Sequence, residues 1–436
     1  MSRYIVRRLS TMLLTMLLVS IMVFAIVEIA PGNVARNILG AYATPEQEQS
    51  MENQLGLDRR PAIRYISWLL GSDWQARRQT GYKLTEIVIA KGVVEKYRQW
   101  WAEDVNGNLV QWDVQEGKLI KLVRQPDGSV VQVPDEGAWK IDENGKKYFW
   151  GIDDANRAAL WREGEGGTEF TLEYSGWIQS ADSPVDYIPL SKGLVRGDMG
   201  ISLRYKRPVS EVIGRRMINS LVLAALAFCI SIPIAIVLGL IAGLNEGKPI
   251  DRILTLGGTV TAASPDFATG LLLIMTFALW LGWVPGASVF LSDTAIFKDP
   301  RLLILPILTA CLVEIGYVLR MTRASVVEVM NSGYVRTAIL KGLTRKQIVT
   351  KHVLRNAMMA PITVIMLHVN WFIGGLVVIE SVFGYPGLGN LILNASLYKD
   401  VYTIEAAAML LVLLAVGTQL IADVIYSLIN PRIRYA

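Results

Sequence analysis

Residues 221–244 read LVLAALAFCISIPIAIVLGLIAGL, a run with no charged side chain. As a helix it rises about 36 Å, enough for the ~30 Å of hydrocarbon in a bilayer. A helix crosses there because every backbone hydrogen bond closes inside the segment. Working outward, Leu9–Ile29, Ile253–Trp280, Leu302–Leu319, Ala360–Ile379 and Ala406–Ile429 are likewise long and apolar, with at most one acidic residue each. The composition agrees: 52% of residues are apolar and 19% charged, against about 25% charged in soluble domains. Disorder, collagen and disulfide scaffolds are excluded. Cys229 and Cys311 lie inside apolar runs without metal-ligand spacing and read as buried thiols. The first run follows Arg3, Arg7 and Arg8, as a signal peptide would, but it is too long for one. The nearest small-x-small site, Ala41-Tyr42-Ala43, lies well beyond it, so an uncleaved anchor is expected.

Charge sets the orientation. Residues 1–8, 245–252, 320–358 and 430–436 carry 15 Lys and Arg but only the acids Glu246, Asp251 and Glu328. The short segments 281–301 and 380–405 carry Lys298, Arg301 and Lys399. The positive-inside rule places the first group, with both termini, in the cytoplasm. Residues 30–216 are then outside, and with 25 basic and 26 acidic residues they give no sign of a nucleic-acid partner. Residues 1–71 thus hold the anchor and the start of the outer segment, 72–187 an extracytoplasmic insertion, and 188–436 the remaining five spans.

The insertion differs in texture from its surroundings. Gly107, Gly117, Gly128, Gly137 and Gly145 recur at spacings of 8 to 11 residues between the alternating runs Leu109–Val114, Lys118–Val123 and Ser129–Val133. That pattern predicts a β-meander in an α+β domain. Leu84–Trp101 reads as a helix, and Asp154–Arg162 as a second. Eight of the twelve Trp fall here. They suit the core of a small domain, or a surface that meets a partner or the outer leaflet.

Catalytic and metal motifs are missing. No G-x-x-x-x-G-K-[ST] is present, so nothing cradles a nucleotide's phosphates and the chain is not expected to be an enzyme. His352 and His368 form no HExxH, and no metal site or bound cofactor is expected. Charged groups inside spans are costly and therefore informative. Glu314 in the fourth span and His368 and Asn370 in the fifth are candidate pathway-lining groups. Asp266, Glu380 and Asp423 complete the set, the last two near span ends, where structural hydrogen bonds are the simpler reading. Pro233, Pro265, Pro306 and Pro361 are expected to interrupt or border four spans. Residues 320–358 are too polar to span, carry eight basic residues and one acid, and read as a helix–turn–helix centred near Gly342. Such a basic loop suits a partner protein or an anionic lipid surface.

This loop resembles the E-A-A-x-x-x-G…I-x-L-P signature of permease subunits of binding-protein-dependent ABC importers. Arg336-Thr337-Ala338 and Gly342 hold its first places, and His352, Leu354 and Arg355 stand where I, L and P would be; Arg336, His352 and Arg355 depart from the signature. Tyr334 through Leu343 is similar to the oligopeptide/dipeptide branch. So are Arg3–Leu9, Ala30-Pro31-Gly32, Gly56–Arg59, Trp68, Gly197–Leu203, Ser264–Phe267, Glu380–Gly389 and Asn430–Arg434. The insertion is the departure from that branch.

The resemblance implies six transmembrane helices in the type I ABC importer permease fold. It also implies a coupling loop with Arg336, Thr337, Ala338, Lys341, Gly342 and Leu343, in which small Ala338 and Gly342 allow close approach. The turn with Glu380, Gly384, Pro386, Gly387 and Gly389 belongs to the outer face. The implied partners are a second permease, two ATP-binding subunits that hold ATP and magnesium, an extracytoplasmic solute-binding protein and the lipid of the cell membrane. Peptides are the expected solute, with oligosaccharide, nickel or glutathione as other cargoes of the same machinery. A secondary transporter using Glu314 or His368 as a relay, or a membrane-anchored receptor, are the readings from other classes.

Overall fold

The run 221–244 lies in one helix, Val209–Leu244, and it sits among other long apolar helices. The computed structural model describes residues 2–30, 33–40, 42–55, 57, 60–91, 95–154, 156–164, 170–174, 190–288 and 299–429; the side chains of Asn370 and Asp423 lie outside that description. In chain order, α1 (Ser2–Ile29), α2 (Val34–Leu39), α3 (Pro45–Leu55), α4 (Pro61–Leu70) and α5 (Asp73–Thr80) precede the strands. These are β1 (Lys83–Lys91), β2 (Glu95–Glu103), β3 (Leu109–Gln115), β4 (Lys118–Arg124), β5 (Val130–Pro134), β6 (Lys140–Ile141), β7 (Lys147–Ile152), β8 (Ala158–Glu163) and β9 (Phe170–Tyr174). Then come α6 (Val209–Leu244), α7 (Pro249–Ala263), α8 (Asp266–Leu273), α9 (Arg301–Met330), α10 (Gly333–Leu340), α11 (Arg345–Gln347), α12 (Leu354–Ala357), α13 (Met359–Phe383), α14 (Leu388–Leu397) and α15 (Val401–Ile429).

Contacts divide the chain into two units. The first comprises Met1–Met22, Ile213–Asn394 and Ala407–Ala436; the second comprises Val23–Val212 and Ala395–Ala406. Among the described residues Ser10–Ile29, Val209–Leu244, Arg301–Met330 and Val401–Ile421 are each long and apolar enough to cross a bilayer. The expected third span is broken: α7 and the helix Asp266–Trp280 meet at 107°. Pro265 stands at that break, while Pro233 and Pro306 sit inside continuous helices, so only one of these three prolines interrupts its span. The expected fifth span lies within α13.

In the first unit, glycines let helices approach closely. A Cβ on Gly243 of α6 would come within 2.7 Å of Val326 on α9, and one on Gly316 of α9 within 2.6 Å of Thr261 Oγ1 on α7. Membrane helices pack through such small residues because lipid supplies no hydrophobic drive for them to associate. Leu223, Ala227, Leu305, Cys311, Leu376, Phe383 and Tyr385 form the core of this unit. Cys311 is buried as expected, but Cys229 is exposed on α6.

The second unit contains the sheets, ordered β1-β2-β3-β4-β5 and β6-β7-β8-β9, with every pair antiparallel between sequence neighbours. The meander expectation holds, and the three alternating runs are β3, β4 and β5. Glu116 and Gly117 both have positive φ, 50° and 75°, as a two-residue hairpin between Gln115 and Lys118 demands.

Both helices expected here are strands instead. The described residues of Leu84–Trp101 belong to β1 and β2, which pair antiparallel with Lys83 facing Glu103 and Glu86 facing Trp100. Ile87-Val88-Ile89 is a β-branched run that resists helix, and opposite charges pair across the two strands, Lys83 Nζ to Glu103 at 2.7 Å. Asp154–Arg162 holds a turn closed on Asp153, followed by β8, whose Ala158-Ala159-Leu160-Trp161 is buried throughout. Burial between two neighbouring strands overrides alanine's helical preference.

Trp100, Trp112 and Trp161 join Leu119, Phe149 and Ile152 in the core of this region. Trp112 meets Phe149 edge-on with ring centroids 5.2 Å apart, and Phe149 stacks on Trp161 at 5.9 Å. The core reading of the tryptophans therefore holds for these three.

Candidate transport and coupling sites

The basic loop after α9 folds on its own apolar core. Val335 and Ala338 of α10 pack with Val326, Ile348, Val353 and Ala357, and with Leu343 at the margin. Gly342 closes α10 with φ +77°, and the space where a Cβ would stand is open. Thr344 and Gln347 then form a capping box that starts the next helix, which continues through a π-helical stretch, Ile348–Val353.

Ala338 is buried against the loop's own core, and Gly342 takes a left-handed backbone conformation. The outward face is made by Arg336, Thr337 and Lys341 with Tyr334, Ile339 and Leu340, which is 82% exposed. Sequence reasoning misses these last three. A signal for them exists: they are apolar residues lying off the Val335/Ala338 stripe of a short helix.

Glu380 sits in the last turn of α13 and organises the turn that follows. Its carboxylate accepts from Ser220 Oγ, from Gly389 N at 2.7 Å and from Asn390 N at 3.2 Å. The last two are orphan donors at the first turn of α14, where a negative charge is favourable. Tyr385 donates to Asn219 O at 2.8 Å and Asn219 Nδ2 to Pro386 O at 2.8 Å, tying the turn to α6. Gly384 caps α13 in the left-handed region, and a Cβ on Gly387 would collide with the Glu380 carboxylate. The sequence places Glu380, Gly384, Pro386, Gly387 and Gly389 on one turn; the structure adds Asn219 and Ser220 from a distant helix.

Glu314 and His368 meet. His368 Nδ1 lies 3.0 Å from Glu314 Oε2, joining α9 to α13, with Tyr317 edge-on to the imidazole at 5.0 Å between ring centroids. Glu314 is fully buried, and its Oε1 has no hydrogen-bond partner among the described residues. Asp266 stands apart, at the first turn of α8 after the break. No group of three or more His, Cys, Asp or Glu that could hold a metal occurs among the described residues.

Residues 235–435 match the family described as binding-protein-dependent transport system inner membrane component, and residues 1–82 match the N-terminal region of such membrane components. The oligopeptide transport system permease protein AppB of Bacillus subtilis (strain 168) is 35% identical over 254 residues, covering 58% of this chain and 80% of the relative. The oligopeptide permease OppB of Haemophilus influenzae is 33% identical over 250 residues, covering 57% and 80%. The glutathione permease GsiC of Escherichia coli O6:H1 is 35% identical over 241 residues, covering 55% and 76%. Among solved structures, an amino acid ABC transporter aligns at 17% identity and a TM-score of 0.39, over 51% of this chain and 95% of that one.

Proposed function

The chain belongs to the binding-protein-dependent transport system inner membrane components, as a permease subunit of an ABC importer with peptide permeases among its relatives, and from that premise we propose that it forms half of a peptide pathway. It is a multi-pass inner-membrane protein. The second half is a homologous permease, and two separate ATP-binding subunits supply hydrolysis, holding ATP and magnesium that this chain has no loop to bind. A solute-binding protein delivers cargo from outside. The positive-inside asymmetry supports cytoplasmic termini and an extracytoplasmic sheet region.

The observation that carries the coupling role is the outward face of α10. One side of that helix is spent on its own core, and the other leaves Ile339, Leu340, Arg336 and Lys341 exposed. An exposed leucine beside cations suits a pocket with an acidic rim on the ATP-binding subunit. Leu340→Asp is expected to lower ATP-driven peptide uptake roughly tenfold, the effect of losing one interface anchor, with membrane level unchanged. Uptake at the wild-type rate, measured in vesicles containing all subunits, would refute the assignment.

Peptides are favoured as cargo because the relatives named for oligopeptides and for glutathione, itself a tripeptide, match over 254 and 241 residues of the chain. Glu314, His368 and Asn370 are proposed to line the pathway. The buried Glu314–His368 pair supports this, since an incompletely bonded carboxylate is otherwise costly in a membrane helix.

A further inference from the structure

The sheets and the segment after them are joined by ion pairs at one point. Arg98 on β2 donates through Nη1 to Asp198, and its Nε lies 3.2 Å from Glu86 on β1. Lys192 Nζ reaches the same Glu86 at 2.8 Å. Asp198 is 5% exposed and also accepts from Gly200 N, Lys192 N and Ser191 Oγ. Burial pushes its carboxyl upward, but the bond and charge of Arg98 and the amide donors outweigh that, and it titrates below the ordinary range.

The segment that begins at Asp198 is gripped from other directions too. Trp68 Nε1 on α4 donates to Met199 O at 3.1 Å. Gly200 packs beside Tyr402 on α15, where a Cβ would stand 3.4 Å from the ring, in ordinary van der Waals contact. Asp400, fully buried before α15, accepts from Ser202 Oγ, from Leu203 N at 3.1 Å and from Thr403 Oγ1 at 2.8 Å. Five residues further, the chain enters α6, with Val209 N bonded to Gly200 O at 3.0 Å. Residues 198–204 are thus a junction where β2, α4 and the first turns of α6 and α15 are held together.

We propose that Arg98 is a positioning residue: it seats the Asp198–Arg204 junction and thereby sets the first turns of α6 and α15, so that load on the sheets reaches the two membrane helices. Neither family model covers residues 83–234, which hold Arg98, both sheets and the junction. The consequence for transport rests on the reading above, in which a binding protein docks outside. An insertion held only by its two chain ends would take up load by bending. One pinned at Arg98 passes it to Asp198, Gly200 and Asp400.

The test is amide hydrogen exchange on the complete transporter complex, together with ATPase activity with and without its binding protein. In Arg98→Met, exchange is expected to rise about tenfold at residues 199–204 and 401–405 and to stay unchanged in α9. Binding-protein-stimulated ATPase falls while basal ATPase is kept. Arg98→Lys retains the charge and falls between the two, and it provides the reading should the methionine variant fold poorly. Unchanged exchange at both segments, or a uniform rise that includes α9, overturns the positioning role. Raised exchange with undiminished stimulation refutes the link to the transport cycle, so the two failures are distinguishable.

Discussion

Asp104 shows how one side chain can fix a turn of the sheet. Its Oδ1 accepts from Asn106 N and Asn108 N, each at 2.9 Å, and its Oδ2 from Lys121 Nζ at 3.0 Å. Against the upward push of burial, these donors hold the carboxyl down to about 2. A group depressed on folding stabilises the fold above its unfolded value, roughly 4, and loses that contribution as pH falls toward the folded one. Acid unfolding of the sheets, followed by tryptophan fluorescence of the solubilised chain, should therefore show a step between about pH 4 and about 2. Asp104→Asn should flatten that step. At this scale the sequence is legible where chemistry is local: the Asp-x-Asn-Gly turn can be read from four letters. Glu380 cannot, because Asn219 and Ser220, which complete its turn, are some 160 residues away.

Helices and strands are legible to the degree that their pattern is uniform. The apolar runs form helices because twenty apolar residues leave few alternatives in lipid. The β1–β2 pair is misread because helix and strand compete closely in a mixed charged and β-branched stretch, and the deciding partner is another strand. The turn between α13 and α14 offers an element-scale prediction. A Cβ on Gly389 would strike the Val377 side chain at 2.8 Å as well as its Cα. Gly389→Ala should therefore cost ~1–3 kcal/mol, the range for overpacking, seen as a lower melting temperature of the detergent-solubilised protein. Gly342→Ala, with open space around it, should cost only about 1 kcal/mol, through its positive φ.

At the scale of the whole molecule, the chain that leads into the sheets is tied to the chain that follows them. Ser72 N donates to Ser191 O at 2.9 Å and Ser191 N to Ser72 Oγ at 3.2 Å, while Arg196 pairs with the buried Asp73. The chain entering the sheet region and the chain leaving it thus meet at Ser72 and Ser191, so that such a region can enter a loop without stretching the frame. The orientation proposed for it is open to a direct test. In a Cys229→Ala background, Val131→Cys on exposed β5 should react with a membrane-impermeant maleimide on intact cells. Leu340→Cys should react only once the membrane is opened. The reverse pattern would invert the topology.

The sequence by itself determined that this chain spans a membrane, that its basic residues gather in one set of short segments, that the insertion contains hairpins, and which family motifs it bears. Each rests on composition or short periodicity, and solvent sorts these without reference to a particular partner residue. Only the tertiary structure decided that β1 and β2 are strands, that Ala338 faces inward, that Glu380 clamps a turn to α6, and that Arg98 holds Asp198. Each of these depends on residues far apart in the chain, and the energy of a buried ion pair or a close helix contact exists only once folding brings both sides together.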